Sequence, residues 1–374
     1  MRIDRLELSD YRNIGQALLL PHPNVNIIYG KNAQGKTNLL ESIWLCSGNK
    51  SFRGAKESQM IQFEKPIFQI GLTFFDRERT QQIRYLAGEK RKILLNGVPL
   101  KSLSELSGEF YCVVFNPDDL DIVKDGPSCR RQFLDTAISQ IKPIYGKYLS
   151  QYESILEQRN VLLKEIRKQS YPEDMLEIWD VQLAKLGTIL SIFRKDYLEK
   201  LKAVGQKIYS GFSGGKEQIG MEYRSTIYPN SKELKIYSDE LIDEYRNMLE
   251  ESREDDIRLK STTKGIHRDD FEIKIDGLSA KQFGSQGQQR SCAISLKLSE
   301  AALLKNITGE DPVVLLDDVM SELDQQRQHY ILNKVKDFQV FITCCDLINT
   351  LQLEEGKIFY VEDGIFTEKN KDEL

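Results

Sequence analysis

Gly30-Lys31-Asn32-Ala33-Gln34-Gly35-Lys36-Thr37 fits the pattern GxxxxGK[ST] at every fixed position. The run before it, Asn24-Val25-Asn26-Ile27-Ile28-Tyr29, reads as a short strand ending at Gly30. The run after it, Asn38–Leu45, places Leu39, Leu40, Ile43 and Trp44 on one side of a helix. Strand, glycine loop and helix together make a phosphate cradle. The glycines let backbone N–H groups close on an anion without Cβ clashes, and the helix turns its positive end toward the charge. In such a loop Lys36 reaches the β- and γ-phosphates of a nucleotide and the Thr37 hydroxyl ligates Mg²⁺. All eight residues are candidate contacts to ATP, and Lys36 is also a candidate catalytic group. The competing reading is a glycine turn with an exposed lysine, which the strand before and the helix after disfavour.

Two further stretches depend on the first. Val313-Val314-Leu315-Leu316-Asp317-Asp318 reads as a parallel strand buried on both faces and ending in two carboxylates, at the sheet end where α/β folds hold ligands. Asp317 is the candidate Mg²⁺ ligand. Asp318 is the candidate to orient or deprotonate the attacking water. Ser285-Gln286-Gly287-Gln288-Gln289-Arg290 puts a serine and a glycine at a helix start, with Cys292, Leu296 and Leu303 behind it. That is either a second anion site or an ordinary capped helix. One γ-phosphate cannot use two such sites from one chain, but a second copy can supply the other.

Farther out, residues 67–99 read as antiparallel strands closed by an Asn96-Gly97 turn, a small subsheet. Apolar residues at 134, 138, 141, 145, 148, 152, 155, 162 and 166 form a heptad seam with Arg159 as its polar occupant. A second seam runs from Leu176 through Leu183 and Leu190 to Tyr197. The two make either a helical hairpin packed on itself or two faces packed on a globular body. Residues 213–261 are polar, with a helix near Asp239–Arg253; strands return at Phe271–Ile275, Val340–Thr343 and, last, Lys357–Val361. The expected fold is therefore α/β: a head in two pieces, 1–125 and 262–374, split by a helical insertion at 126–261.

The chain has 374 residues and a formal net charge of −5, so any nucleic-acid binding needs a local basic patch. Its six cysteines include no CxxC pair, which removes the usual zinc spacing and suggests a reducing, cytoplasmic setting. The first ten residues alternate charged and apolar types, unlike a secretory leader, and no run has the length of a membrane span. The final Lys371-Asp372-Glu373-Leu374 spells an ER-retention signal, expected here to be coincidence.

The stretch Ser285–Arg290 resembles the signature loop of ABC-type ATPases that act on DNA, and Ser321-Glu322-Leu323-Asp324 resembles their D-loop. Leu8–Asn13, Phe115–Leu120, Arg130–Asp135 and Lys264–Asp270 narrow the resemblance to the RecF family, in the right order along nearly the whole chain. The resemblance implies an ABC-type ATPase head with an antiparallel β subsheet and an inserted, coiled-coil-like helical domain. It also implies ATP-driven dimerisation on double-stranded and gapped DNA, slow hydrolysis that resets the dimer, and aid to RecA loading with RecR and RecO. Carried onto this chain, Gly30–Thr37, Asp317 and Asp318 form one subunit's part of the nucleotide site. Ser285, Gly287, Gln288 and Arg290 complete it from the other.

Four places depart from the expected pattern or leave a choice. Thr343-Cys344-Cys345-Asp346 stands where transporter-type ATPases carry a histidine, and Ile266 stands where the family motif has proline. Arg12 serves either phosphate or DNA, and His267 either faces the nucleotide or caps a turn. The basic candidates for DNA are Arg53 and Lys56, Lys90-Arg91-Lys92, and Arg130-Arg131, each equally readable as a solvated face. The rival functions are a transporter ATPase subunit, a small-molecule P-loop kinase and an SMC-type chromosome clamp, whose arm would be far longer than this insertion.

Overall fold

The computed structural model describes residues 1–168, 171–229, 234–345 and 356–370. The expectation for Lys371–Leu374 and the place of Asp346 lie outside these residues. The chain divides into two compact units, Met1–Asp119 with Ile294–Leu374, and Leu120–Ala293.

The first unit holds two sheets. Strands β1 (Arg2–Tyr11), β2 (Ile14–Leu19), β4 (Phe68–Phe75), β5 (Thr80–Ala87), β6 (Lys92–Leu95) and β7 (Val98–Leu100) form an antiparallel sheet in the order β2-β1-β4-β5-β6-β7. The subsheet expected from residues 67–99 thus also takes in the two N-terminal strands. The other sheet runs β15-β14-β3-β13-β12-β8, with β3 (Val25–Tyr29), β8 (Cys112–Phe115), β12 (Val313–Leu316), β13 (Val340–Cys344) and β14 (Lys357–Glu362) parallel to their neighbours. Only the edge strand β15 (Ile365–Lys369) is antiparallel. Every residue of the interior strands β12 and β13 is buried, as a parallel strand covered on both faces requires, and so is every residue of β8 at the sheet's edge. Helix α1 (Lys36–Leu45) buries Leu39, Leu40, Ile43 and Trp44 in one core with Ile3, Leu6, Phe68, Ile70, Val313 and Phe341. Each fully buried side chain of this size contributes about 1.5–3 kcal/mol. Helix α10 (Gln325–Val335) starts where Asp324 accepts the Arg327 N–H at 2.9 Å.

The second unit contains α2 (Asp121–Lys124), α3 (Pro127–Ile141), α4 (Pro143–Arg167), α5 (Glu177–Ser213), α6 (Asp239–Glu251), α7 (Arg253–Leu259) and α8 (Ala280–Phe283). The seam read from 134 to 166 is two helices, not one. Pro143 has no N–H to continue α3 and instead opens α4 at its first position. Helices α3, α4 and α5 pack on one another, and α5 also packs on α6 and on β9 (Ile219–Arg224). The helices thus pack on one another, with α6 and β9 of the same unit added to them. The boundary expected at 261/262 falls inside this unit, because β10 (Asp270–Ile275) pairs along its length with β9, with β11 (Leu278–Ser279) beyond. Helix α9 (Gln286–Thr308) begins in the second unit and ends in the first.

Candidate nucleotide site

The glycine loop is shaped by close approach. A Cβ on Gly30 would lie 2.3 Å from the Val361 carbonyl oxygen, so any other residue there displaces β14. Gly35, the N-cap of α1, has φ 111°, and a Cβ there would sit 2.8 Å from Asn13 Oδ1. Lys36 is buried, and its Nζ donates to the carbonyls of Gly30 at 2.7 Å and Lys31 at 3.1 Å. The loop's own backbone thus holds the ammonium at its centre.

Strand order places the carboxylates. β13 lies between β3, which feeds the loop, and β12, which ends at Asp317. The last residues of β13 are therefore the natural bridge between loop and carboxylates, and Thr343 fills that role. Its Oγ1 donates to Asp317 Oδ1 at 2.8 Å and accepts the Asp318 N–H at 2.9 Å. Thr37 Oγ1 donates to the same Asp317 oxygen at 2.9 Å. Burial pushes the Asp317 carboxyl above its usual range; the Thr343 and Thr37 hydrogen bonds pull it back, and Asp318 pushes it up. Asp318 sits in left-handed backbone at φ 52°, which turns its half-buried side chain out of the strand direction.

These atoms fit a magnesium ion. Adjacent ligands of an octahedral Mg²⁺ at its short oxygen distance lie about 2.9 Å apart, the separation of the Thr37 hydroxyl and the Asp317 carboxylate. Both are hard oxygen donors.

Several contributors carried no pattern in the sequence. Glu41, fully buried on α1, accepts from Tyr11 Oη at 2.9 Å, from Ser51 and from the Arg12 guanidinium. Its signal was a carboxylate one helical turn past Thr37, between the apolar Leu39-Leu40 and Ile43-Trp44 pairs. Asn13 accepts from Asn38 at 2.7 Å, and Gln34 accepts the Asp363 N–H at 2.6 Å. Exposed Cys345 places its sulfur 2.9 Å from Asn32 Oδ1 and 3.6 Å from Lys36 Nζ.

Arg12 lies beside the loop helix with its guanidinium clamped on Glu41, so both ends of that contact belong to the fold. Arg53 is exposed and donates to Asn38 at 2.8 Å; its charge also acts on Asp317. Lys56, Lys90, Arg91 and Lys92 are exposed, with Arg91 paired to Glu57 at 2.9 Å. Arg130 is buried, grips Asp270 through Nε at 2.7 Å and Nη2 at 2.9 Å, and donates to the Ile122 and Asp125 carbonyls, so its charge is already engaged within the fold. Arg131 is half-buried and donates Nη1 to the Asp269 carbonyl at 3.0 Å.

At the start of α9, Ser285 and Gln288 cap each other: Gln288 N–H donates to Ser285 Oγ at 3.2 Å, and Ser285 N–H donates to Gln288 Oε1 at 2.7 Å. Gln288 Nε2 also donates to Glu217 at 2.8 Å. Buried Gln289 locks the turn through the carbonyls of Ala280 and Lys281. Ser285 and Arg290 are exposed and Gly287 half-buried, so the helix start is braced from behind and open in front.

His267 is built into the fold. Its Nε2–H donates to the Thr262 carbonyl at 2.9 Å, and Nδ1 accepts from Tyr152 Oη at 3.1 Å. Tyr152 in turn pairs with Tyr245 at 2.9 Å, and Tyr245 accepts the Ile266 N–H at 3.3 Å. A proline at 266 would have no N–H to give, so the isoleucine has a function in this chain. Burial, then the cations Arg268, Arg131 and Arg159, push the His267 pKa down to about 4.

The six cysteines are free, and no helix among the described residues is long and apolar enough to cross a membrane. The family model RecF/RecN/SMC N terminal domain matches residues 2–365. The DNA replication and repair protein RecF of Acetivibrio thermocellus is 38% identical over 352 residues, covering 92% of this chain and 94% of its own length. That of Lachnospira eligens is 41% identical over 377 residues, 99% of this chain and 100% of its own. A solved structure of the recombination mediator protein RecF, as RecF-ATPrS in the RecFOR pathway, superposes with a TM-score of 0.92 at 38% identity and covers 98% of both chains. A likeness of that depth extends well beyond a shared nucleotide-binding core, through the helical unit as well, and this chain belongs to the RecF family of ABC-type ATPases.

Proposed function

We propose that this protein is an ATP-dependent DNA-binding protein of recombinational repair and replication restart. Two copies close on ATP while gripping double-stranded or gapped DNA, and slow hydrolysis lets them part. The observation that carries the reading is the glycine loop with its bonded carboxylate, Thr37 on Asp317, together with a signature-like helix start that Gln288 and Gln289 brace and whose Ser285 and Arg290 are exposed. A site needing both is completed by a partner copy, whose Ser285, Gly287, Gln288 and Arg290 meet the γ-phosphate. The RecFOR pathway in which that relative is placed supports RecR and RecO as partners; loading of RecA downstream is part of the same proposal.

Within the site, Lys36 and the loop N–H groups bind the phosphates, and Thr37 and Asp317 hold Mg²⁺. When bound, the ion neutralises charge on the β- and γ-phosphate oxygens. Asp318 orients the attacking water and accepts its proton. Its carboxylate is one methylene shorter than a glutamate, and Thr343 puts a neutral hydroxyl, already donated to Asp317, where transporters place a histidine; both favour slow turnover. Asp318→Asn should keep ATP binding, lose hydrolysis and hold the dimer closed. Light scattering with ATP tests this: absence of an ATP-dependent dimer in both the parent and Asp318→Asn would sink the reading.

A further inference from the structure

We propose that Arg131 and Arg268 form a phosphate-binding pair through which the second unit grips the backbone of duplex DNA. The proposal rests on the DNA-binding reading above and assigns it a place. Both guanidiniums are anchored to the segment 261–269 by neutral groups only. Arg131 Nη1 donates to the Asp269 carbonyl at 3.0 Å. Arg268 Nε donates to the Thr262 carbonyl at 3.3 Å, and its Nη2 to Ser261 Oγ at 3.1 Å.

The neighbouring arginines are treated differently by the fold. Arg130 is matched to Asp270, Arg159 to Asp180 and Asp256, and Arg194 to Asp135. Among the described residues, Arg131 and Arg268 have no such ion pair. Each is held along part of its donor fork, and its remaining N–H groups have no protein partner among those residues. The cations also crowd one another. Burial first, then Arg194 and Arg268, pull the Arg131 pKa down; Asp270 and Asp135 act in the opposite sense, but each is already engaged by its own arginine. Like charges held together with no carboxylate of their own to pair with are costly unless an anion joins them. Arg268 is exposed and Arg131 half-buried, so the anion must come from outside.

The ligand chemistry is that of a phosphodiester. A guanidinium fork matches two phosphate oxygens and keeps its charge at any physiological pH. Two un-neutralised forks on a chain of net charge −5 are a local exception that suits a sequence-independent backbone contact.

The test measures binding of a labelled short duplex to the full chain with ATP, by fluorescence anisotropy between 50 and 200 mM salt. Arg268→Gln and Arg131→Gln should each weaken binding about tenfold at the lower salt. Together they should reduce the slope of log K against log salt by about two, near one per lost phosphate contact. Arg268→Lys should recover most of the slope, which a merely structural role would not do. A labelled ATP analogue and thermal unfolding are followed in parallel, and both should match the parent. A parent that binds duplex while the double variant keeps its affinity and slope overturns this assignment and spares the DNA reading. A parent that binds no duplex overturns both. Loss of ATP-analogue binding alongside DNA binding places the pair in the nucleotide site or the fold and also overturns the assignment. Competition by inorganic phosphate as effective as by unlabelled duplex would mark a free-anion site and overturn it too.

Discussion

The nucleotide loop and the core of the helical unit both gather charged residues, yet they use them in opposite ways. At the loop, the charges stand at strand ends and helix starts, held by backbone or hydroxyl groups that leave capacity for a ligand. Lys36 rests on two carbonyls, and Asp317 accepts two threonine hydroxyls. In the helical unit the charges face one another. Arg159, fully buried, donates to Asp180 and Asp256 at 2.7 Å each and to Thr262 at 2.8 Å. Arg253 adds a second grip on Asp180 at 2.8 Å. A buried charge satisfied by protein is architecture, and one satisfied by neutral groups is available for binding. The comparison can be broken by asking which substitutions cost stability and which cost ligand.

The largest effect is expected at Arg159. Replacing it with alanine strands Asp180 and Asp256 in the interior, which costs about 3–5 kcal/mol of folding stability. Denaturant unfolding checks this, and the folded fraction should bind ATP as the parent does. Arg159→Ala with unchanged stability would mean the network is not what ties α4, α5 and α7 together. Next comes Lys36→Ala, which should weaken ATP binding at least a hundredfold, about 2.7 kcal/mol, by equilibrium titration with a labelled analogue. Its thermal unfolding without nucleotide should stay within about 1 kcal/mol of the parent, because the ammonium's protein partners are neutral: two carbonyls and, at 3.6 Å, the Cys345 sulfur. A Lys36→Ala protein that unfolds readily but still binds ATP would reverse the comparison.

Much of this arrangement could be read before any coordinates. The glycine loop is legible because its pattern, its strand and its helix are contiguous, so local chemistry decides it. The Asp317-Asp318 strand is legible because burial on both faces writes an apolar run. Three kinds of feature were not. Strand β15 mixes exposed and half-buried residues irregularly, with none buried, and so carries no period against water, and β9 buries only Ile219, Met221 and Tyr223 within a polar stretch. The seam across Lys142-Pro143 keeps its spacing while the helix changes, since a heptad records a buried face and not a continuous backbone. Arg130 reads as a surface cation because its partner, Asp270, lies 140 residues away.

The smallest expected effect is the most specific, and it concerns His267. The chain of bonds runs one way, from the Ile266 N–H through Tyr245 and Tyr152 to Nδ1, with Nε2–H given to the Thr262 carbonyl. That order needs a neutral ring, since a proton on Nδ1 would face the hydroxyl that donates to it. The folded pKa is about 4, below the ordinary 6.5, so between these values the unfolded chain binds a proton that the folded chain refuses. Stability from this group is therefore complete above pH 6.5 and is lost as pH falls toward 4, reaching about 1.4 kcal/mol of loss at pH 5.5. Asp119, which burial pushes up to about 6, titrates in the same window with the opposite sign, because a raised carboxyl loses stability as pH rises. Parent melts alone would mix the two. The difference between parent and His267→Gln isolates the histidine: the parent's advantage at pH 7.5 should shrink by about 1.4 kcal/mol at pH 5.5. An advantage that stays constant across that range would mean that the ring titrates in the fold as it does in the unfolded chain, and one that grows as pH falls would mean that the fold holds it charged; either outcome replaces the ordered chain of neutral donors.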